Sequence, residues 1–165
     1  KRIVSLNSNL QRCGVFNTIT TMMEGRFFKN FQFDKILLDA PCSGTGTIRK
    51  SPKTILNWST NIVNRLAGIQ KQLIRTAFEN LKEGGTLVYS TCTLEPQEDE
   101  GVISHLLEEY DNAKLQKISL NNLKSSKPIT EFERNIYQKD VKNCLRIWPQ
   151  DNDSDGFFIA KIKKI

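Results

Sequence analysis

The fifteen residues from Ile36 to Lys50 constrain this chain more than any other stretch. They open as a short apolar run, Ile36-Leu37-Leu38, of the kind that forms a strand buried on both faces. The run breaks at once into Asp39, Pro41, Cys42, Gly44 and Gly46. In open α/β sheets, chemistry sits in the crevice at the carboxyl ends of parallel strands. On these residues alone the stretch is equally a buried strand followed by a glycine-rich turn with an incidental thiol, since one cysteine in one loop does not define a site.

A second stretch ends in the same way. Thr86 to Ser90 forms another buried strand, and Thr91, Cys92 and Thr93 lie directly at its carboxyl end. Between the two, Ser59 caps a helix that runs to about Leu81, with Ile62, Leu66, Ile69, Leu73, Ala77 and Leu81 returning every three or four residues as a core-facing stripe. Lys82 to Gly85 closes it. A right-handed crossover sets such strands side by side, so Cys42 and Cys92 face one crevice.

The remaining segments fill out an α/β pattern. Lys1 to Cys13 reads as a helix stopped by Gly14, Val15 to Thr21 as a short strand, and Met22 to Gln32 as a loop holding Glu24, Gly25 and Arg26. Pro96 opens another helix, with Glu95, Glu98, Asp99 and Glu100 favouring its positive end and Val102, Ile103, Leu106, Leu107 and Tyr110 forming its apolar face. His105, the single histidine, sits beside that face as a surface residue. Lys114 to Leu120 alternates like a strand, and Asn121 to Lys139 is an irregular excursion with a helical turn at Glu131 to Tyr137. Cys144 to Trp148 and Phe157 to Ile162 form a terminal hairpin. The acidic loop from Asp151 to Asp155 lacks the ligand spacing of a calcium loop and reads as a solvated turn. The expectation is a three-layer α/β fold whose sheet is mostly parallel, with an antiparallel strand of the terminal hairpin at its edge.

A chain of 165 residues with 38% hydrophobic content is of a size for one domain or a large part of one. Its apolar runs fall far short of the roughly 18 or more residues of a membrane span, so a soluble, cytoplasmic protein is expected. The four cysteines are scattered singly, without the close pairs of a zinc site, so the expectation is reduced thiols and no metal. A net charge of +6 suits a polyanionic partner, and Arg49, Lys50 and Lys53 are grouped beside the candidate site as phosphate contacts or as a solvated basic turn.

Two thiols and an acid at adjacent strand ends suit one chemistry better than others. No histidine stands ready for a cysteine-histidine hydrolase pair, and no Cys-x-x-Cys redox motif is present. If a thiolate adds to carbon 6 of a pyrimidine, carbon 5 becomes electron-rich enough to attack an electrophilic methyl group. A base must then remove the carbon 5 proton so that the thiolate can leave. A carboxyl group on the pyrimidine edge would stabilise charge developing at nitrogen 3.

Asp39-Ala-Pro-Cys-Ser-Gly-Thr-Gly with Ile48-Arg49-Lys50, and Leu87-Val88-Tyr89-Ser90-Thr91-Cys92-Thr93-Leu94-Glu95-Pro96, resemble the two signature motifs of the Nol/Nop/Sun RNA cytosine-5 methyltransferases. The resemblance extends to Asn9, Arg12 and Gly14, to Gln70, to Glu98 and Glu100, and to Asp155-Gly156-Phe157-Phe158-Ile159-Ala160-Lys161. It implies a Rossmann-like methyltransferase sheet and S-adenosylmethionine as cofactor. It also implies that Cys92 attacks carbon 6, that Cys42 assists product release, that Asp39 binds the target base and that Pro41 shapes the pocket. Asp39, Pro41 and Glu24 are the implied cofactor contacts, although Glu24 stands where the family commonly has Asp in an Asp-Gly-Arg segment. The stretch from Arg49 to Trp58 is most like members that modify small-subunit ribosomal RNA, so ribosomal RNA is the expected partner ahead of transfer RNA.

The family's glycine-rich cofactor loop and first strands have no counterpart in this sequence. The expectation is that residues 1–165 are the carboxyl-terminal part of a single methyltransferase domain, whose strands here lack their usual neighbours and whose partner is a missing amino-terminal segment or another chain. Two readings follow: a methyltransferase acting on RNA cytosine, or a non-catalytic fragment that binds RNA or a partner chain and is inactive alone.

Overall fold

A computed structural model describes residues 2–165. The main elements are α1 (Arg2–Arg12), β1 (Phe33–Asp39), α2 (Lys53–Leu56), α3 (Thr60–Glu79), β2 (Leu81–Thr91), α4 (Glu100–Glu109), β3 (Ala113–Gln116), β4 (Glu131–Phe132), β5 (Asn135–Ile136), β6 (Leu145–Ile147), α5 (Pro149–Asn152) and β7 (Phe157–Lys164). The principal sheet has the order β1-β2-β7-β3, with β6 also pairing β7. β1 is parallel to β2, and β7 runs antiparallel to β2, β3 and β6, so β7 alone points against the rest. The sheet is therefore mostly parallel in direction and carries the expected terminal hairpin. Its antiparallel strand is not at the edge, however, but between β2 and β3: β2 takes one edge of β7, and β7 is long enough for β6 and β3 to share the other.

The crossover that sets β1 beside β2 is α3. Ser59 is extended and its side chain accepts from Ile62 N, which caps the helix where the sequence places it. The buried face is turned by one residue from the expected stripe: Val63, Ala67, Gln70, Ile74 and Phe78 are buried, whereas Ile62, Leu66, Ile69, Leu73 and Ala77 are half-buried. Leu73 and Ala77 instead join Phe28, Phe33, Ile36 and Leu38 in lining an open, mostly apolar cavity of about 280 Å³. Lys82 to Gly85 does not lie outside the sheet. It interrupts the ladder between the Phe33–Leu81 and Lys35–Thr86 pairs, with Gly84 at φ 72°, the left-handed region that glycine enters at low cost.

β1 is not buried on both faces. Among the described residues it pairs on one side only, and Leu37 is 72% exposed. β2 carries the fully buried Leu87 and Tyr89, which pack with Phe78, Val102, Ile103, Leu106, Phe158 and Ile162 in the core. Val15 to Thr21 forms no strand: Phe16 and Ile19 are each 92% exposed, and no described strand lies beside them to supply a ladder. Glu131 to Tyr137 contains no helical turn but the β4–β5 hairpin, whose link places Glu133 at φ 55°. The alternating strand is shorter than expected, ending at Gln116.

The acids before α4 are not simply partners of its dipole. Arg146 on β6 is fully buried and reaches Asp99 Oδ2 at 3.0 Å, Glu100 Oε2 at 2.5 Å and the Leu94 carbonyl at 2.9 Å. Thr91 Oγ1 donates to Asp99 Oδ1 at 2.6 Å, which ties the end of β2 to the same cluster. Burial raises the Asp99 carboxyl above its ordinary range, and Arg146 opposes that rise. Removing the cation would leave two buried carboxyl groups without their counter-charge. Arg146→Met is expected to lower stability by about 3–5 kcal/mol in urea unfolding. A loss below about 1 kcal/mol would show that the cluster is solvated rather than buried.

Candidate active site

The two loops that follow β1 and β2 are laced together before either thiol is considered. Asp39 lies opposite Ser90 in the parallel ladder, and Ala40 N donates to the Ser90 carbonyl at 3.1 Å, so the chains leave the sheet side by side. Gly46 N donates to the Cys92 carbonyl at 3.0 Å, and Gly156 N donates to the Gly46 carbonyl at 2.8 Å. A side chain at Gly46 would strike the backbone of both Cys92 and Gly156, which explains the glycine at this close approach. Gly44 holds φ 73° at the turn. Hydroxyl groups complete the seam: Thr93 Oγ1 lies 2.8 Å from Ser43 Oγ and 2.9 Å from Thr45 Oγ1, and Leu94 N donates to Thr45 Oγ1 at 3.0 Å.

These constraints bring Cys42 Sγ and Cys92 Sγ to 3.4 Å, within reach of an S–H···S hydrogen bond. Both thiols are half-buried, whereas Cys13 is exposed and Cys144 is buried in the core. The hydrogen bond from Cys42 brings the Cys92 thiol down to about 7, against the opposing effect of burial. The same contact and burial push Cys42 up, so Cys92 is the more readily ionised thiol of the pair. Of the two cysteines, the one beyond β2 is the stronger candidate nucleophile on physical grounds.

Asp39 is exposed at the end of β1, with Oδ1 3.4 Å from the donating Ser90 Oγ. Pro41 is exposed beside it, and its carbonyl accepts from Gln70 Nε2 at 2.8 Å. Asp39, Pro41, Cys42 and Cys92 are thus gathered at two neighbouring strand ends. Glu24 is not joined to them by any hydrogen bond or ion pair among the described residues. It pairs with Arg26 at 2.7 Å, and Arg26 in turn donates to Gln72 Oε1 on α3 at 3.2 Å. Arg49 is held by Asp153 at 2.6 Å, so part of the acidic loop pairs with the basic turn; Lys50 is exposed, and so is Lys53 at the start of α2.

For a cofactor, the described residues offer one wall. Asp39 presents a solvent-facing carboxylate and Pro41 a solvent-facing ring beside the open edge of β1, which fits contact with a ligand seated against that edge.

Several site features escape a reading of residue types. Glu98 accepts from Ser43 N and from Gln70 Nε2, and Trp58 Nε1 donates to Glu95 Oε1 at 2.9 Å beside a cleft lined by Thr45, Ile48, Ile55 and Leu94. Gln70, Glu98 and Gly156 lie in segments that carry the family resemblance, but their contacts depend on the fold.

With this geometry in hand, comparison with known proteins places the chain. The family model for the 16S rRNA methyltransferase RsmB/F matches residues 1–163, and the chain belongs to that family. It is 47% identical over 161 residues to the tRNA (cytosine(49)-C(5))-methyltransferase of Pyrococcus abyssi, spanning 96% of this chain and 51% of that protein. It is 44% identical to the ribosomal RNA small subunit methyltransferase F of Aliivibrio fischeri, spanning 99% of this chain and 33% of the relative. The chain thus spans between a third and a half of the length of these relatives. Among solved structures, a methyltransferase homolog protein from Pyrococcus horikoshii superposes with a TM-score of 0.84 at 36% identity, over 99% of this chain and 50% of that one. NSun6 from Pyrococcus horikoshii, solved with SFG, gives 0.82 at 32% identity, over 99% of this chain and 38% of that one.

The thiol pair makes a direct expectation. Alkylation of Cys92 by iodoacetamide, followed by peptide mass spectrometry, should titrate near 7. In Cys42→Ala the midpoint should rise by about one unit or more, because the donor that favours the thiolate is gone. An unmoved midpoint would contradict the assigned hydrogen bond.

Proposed function

We propose that this chain carries the catalytic thiols of an S-adenosylmethionine-dependent methyltransferase that modifies carbon 5 of cytosine in RNA. The observation that carries the proposal is the pair of thiols 3.4 Å apart at the ends of two adjacent parallel strands, with Asp39 beside them. The relatives named for ribosomal and transfer RNA support RNA as substrate, and the neighbour solved with SFG, an analogue of S-adenosylmethionine, supports the cofactor. The expected substrate is ribosomal RNA.

In this reading the target cytosine leaves its stack and enters the crevice, as base-modifying enzymes generally require. The Cys92 thiolate forms a bond to carbon 6, which makes carbon 5 electron-rich. Bound S-adenosylmethionine supplies the electrophilic methyl group. Asp39 binds the pyrimidine edge and steadies charge at nitrogen 3. Once carbon 5 bears the methyl group and a base takes its proton, the C–H electron pair re-forms the carbon 5–carbon 6 double bond and the electron pair of the carbon 6–sulfur bond leaves with Cys92. Cys42, a protonated donor 3.4 Å away, stabilises that departing thiolate and so assists release. Asp39 and Pro41 form one wall for the cofactor, while Glu24, tied to Arg26, contributes to the cofactor site only if that ion pair opens. Lys50 and Lys53 receive backbone phosphate, joined by Arg49 when it exchanges Asp153 for RNA.

The open edge of β1, with Leu37 exposed, supports a further part of the reading: residues 1–165 are the carboxyl-terminal part of the catalytic domain, and additional strands complete the sheet. Among the described residues no helix is long and apolar enough to cross a membrane.

The test uses the natural full-length protein, labelled cofactor, and ribosomal and transfer RNA in parallel. Cys92→Ala is expected to abolish methyl transfer by more than about 1,000-fold. Cys42→Ala is expected to accumulate a protein–RNA adduct that survives a denaturing gel. Transfer by Cys92→Ala at more than a tenth of the wild-type rate would sink the reading. A preference for transfer RNA would reassign the substrate alone.

A further inference from the structure

Outside the reacting groups, one buried polar cluster stands apart: Gln70 on α3 and Glu98 before α4, both fully buried. They hold the two residues on either side of Cys42. Gln70 Nε2 donates to the Pro41 carbonyl at 2.8 Å, and Ser43 N donates to Glu98 Oε2 at 3.0 Å. Gln70 Nε2 also donates to that same Glu98 oxygen at 2.8 Å, which closes the cluster. Glu98 is itself anchored, because its backbone carbonyl accepts from Tyr89 OH at 2.7 Å, near the carboxyl end of the core strand β2. Cys42 is therefore suspended between two clamps, one from the crossover helix and one from the segment following Cys92.

The cluster is poorly explained as a stability device. Gln70 Oε1 and Glu98 Oε1 are both buried without a hydrogen-bond partner, and orphaned polar atoms cost stability wherever water is excluded. An apolar pair of similar volume would pack there without that penalty, but could not grip a carbonyl on one side of Cys42 and an amide on the other.

We infer that Gln70 and Glu98 are positioning residues that fix the Cys42 sulfur against Cys92, and so govern the release half of the reaction. The inference rests on the thiol roles proposed above. Without either clamp the Cys42 loop shifts, its thiol no longer faces the departing Cys92 sulfur, and the adduct persists. Addition of Cys92 to the base is affected much less, because Cys92 keeps its own place at the end of β2.

The experiment compares Glu98→Ala, Gln70→Met, Glu98→Gln and Cys42→Ala in the full-length protein, with two readouts. The first is the fraction of enzyme held as covalent RNA adduct during turnover. Glu98→Ala and Gln70→Met should accumulate adduct as Cys42→Ala does, at least about fivefold above wild type. Glu98→Gln should not, because its amide oxygen still accepts from Ser43 N and Gln70. The second is the pH midpoint of Cys92 alkylation, which should rise in Glu98→Ala and Gln70→Met and stay in place in Glu98→Gln.

Loss of turnover in Glu98→Ala and Gln70→Met without adduct, while Cys42→Ala does trap RNA, would overturn the inference and reduce the cluster to a support of the fold. If Cys42→Ala itself traps nothing, the release role of Cys42 falls, and the alkylation midpoint alone decides the positioning claim. An unmoved midpoint in both clamp variants would then refute it. Should Glu98→Ala fail to fold, Gln70→Met carries both readouts, since its side chain matches the volume of glutamine and removes only the grip on Pro41 and Glu98.

Discussion

Asp39 lies opposite Ser90 in the parallel ladder between β1 and β2, and that register decides where the candidate site residues Asp39, Cys42 and Cys92 stand. Because side chains alternate along a strand, a slip of one residue would turn Leu87 and Tyr89 out of the core and separate the two loops. The register is held from outside the ladder as well. The α3 crossover buries Ile74 and Phe78 against the core, and the interruption at Gly84 absorbs the mismatch at the start of β2 so that the pairs from Lys35 to Asp39 fall into step. From there the geometry propagates along the loop backbones. Gly46 closes on the Cys92 carbonyl, Gly156 closes on Gly46, and the hydroxyl seam of Ser43, Thr45 and Thr93 leaves the sulfurs 3.4 Å apart.

The second constraint is electrostatic and lies behind the first. Asp99, Glu100 and Arg146 are removed from water together, an arrangement whose worth depends on complete pairing. The cluster reaches the site from two directions, through Thr91 beside Cys92 and through the Leu94 carbonyl, so the loop after β2 is fixed from beneath. The contact between the sulfurs then separates two chemically identical thiols, lowering Cys92 and, together with burial, raising Cys42. Backbone geometry sets the distance between the sulfurs, and that contact makes Cys92 the more readily ionised of the two.

Much of this was legible in the sequence, for reasons that differ from residue to residue. Both strands that carry the site, the crossover between them and the Ser59 cap follow from local patterns, and the two cysteines are marked by their position just past an apolar run. The buried face of α3 lies one position from the expected stripe, because the half-buried Ile62, Leu66, Ile69, Leu73 and Ala77 form the more apolar stripe, while the helix commits the buried Gln70 to holding Pro41. Val15 to Thr21 has strand composition, but a strand exists only with a ladder partner, and none of the described strands lies beside it. The acids from Glu98 to Glu100 looked like ordinary helix-start residues, since their partners are Ser43 and Gln70 on one side and Arg146 on the other, none of them a sequence neighbour. Pairings of that kind are set by the fold, and residue type alone carries no trace of them.

The central claim is that Cys92, and not Cys42, forms the bond to the base. The most direct measurement traps the full-length protein on RNA containing 5-azacytidine, whose ring has no proton at position 5 to lose, and identifies the linked peptide by mass spectrometry. The account predicts RNA attached to the peptide containing Cys92, with Cys42 unmodified. Attachment at Cys42 would contradict it.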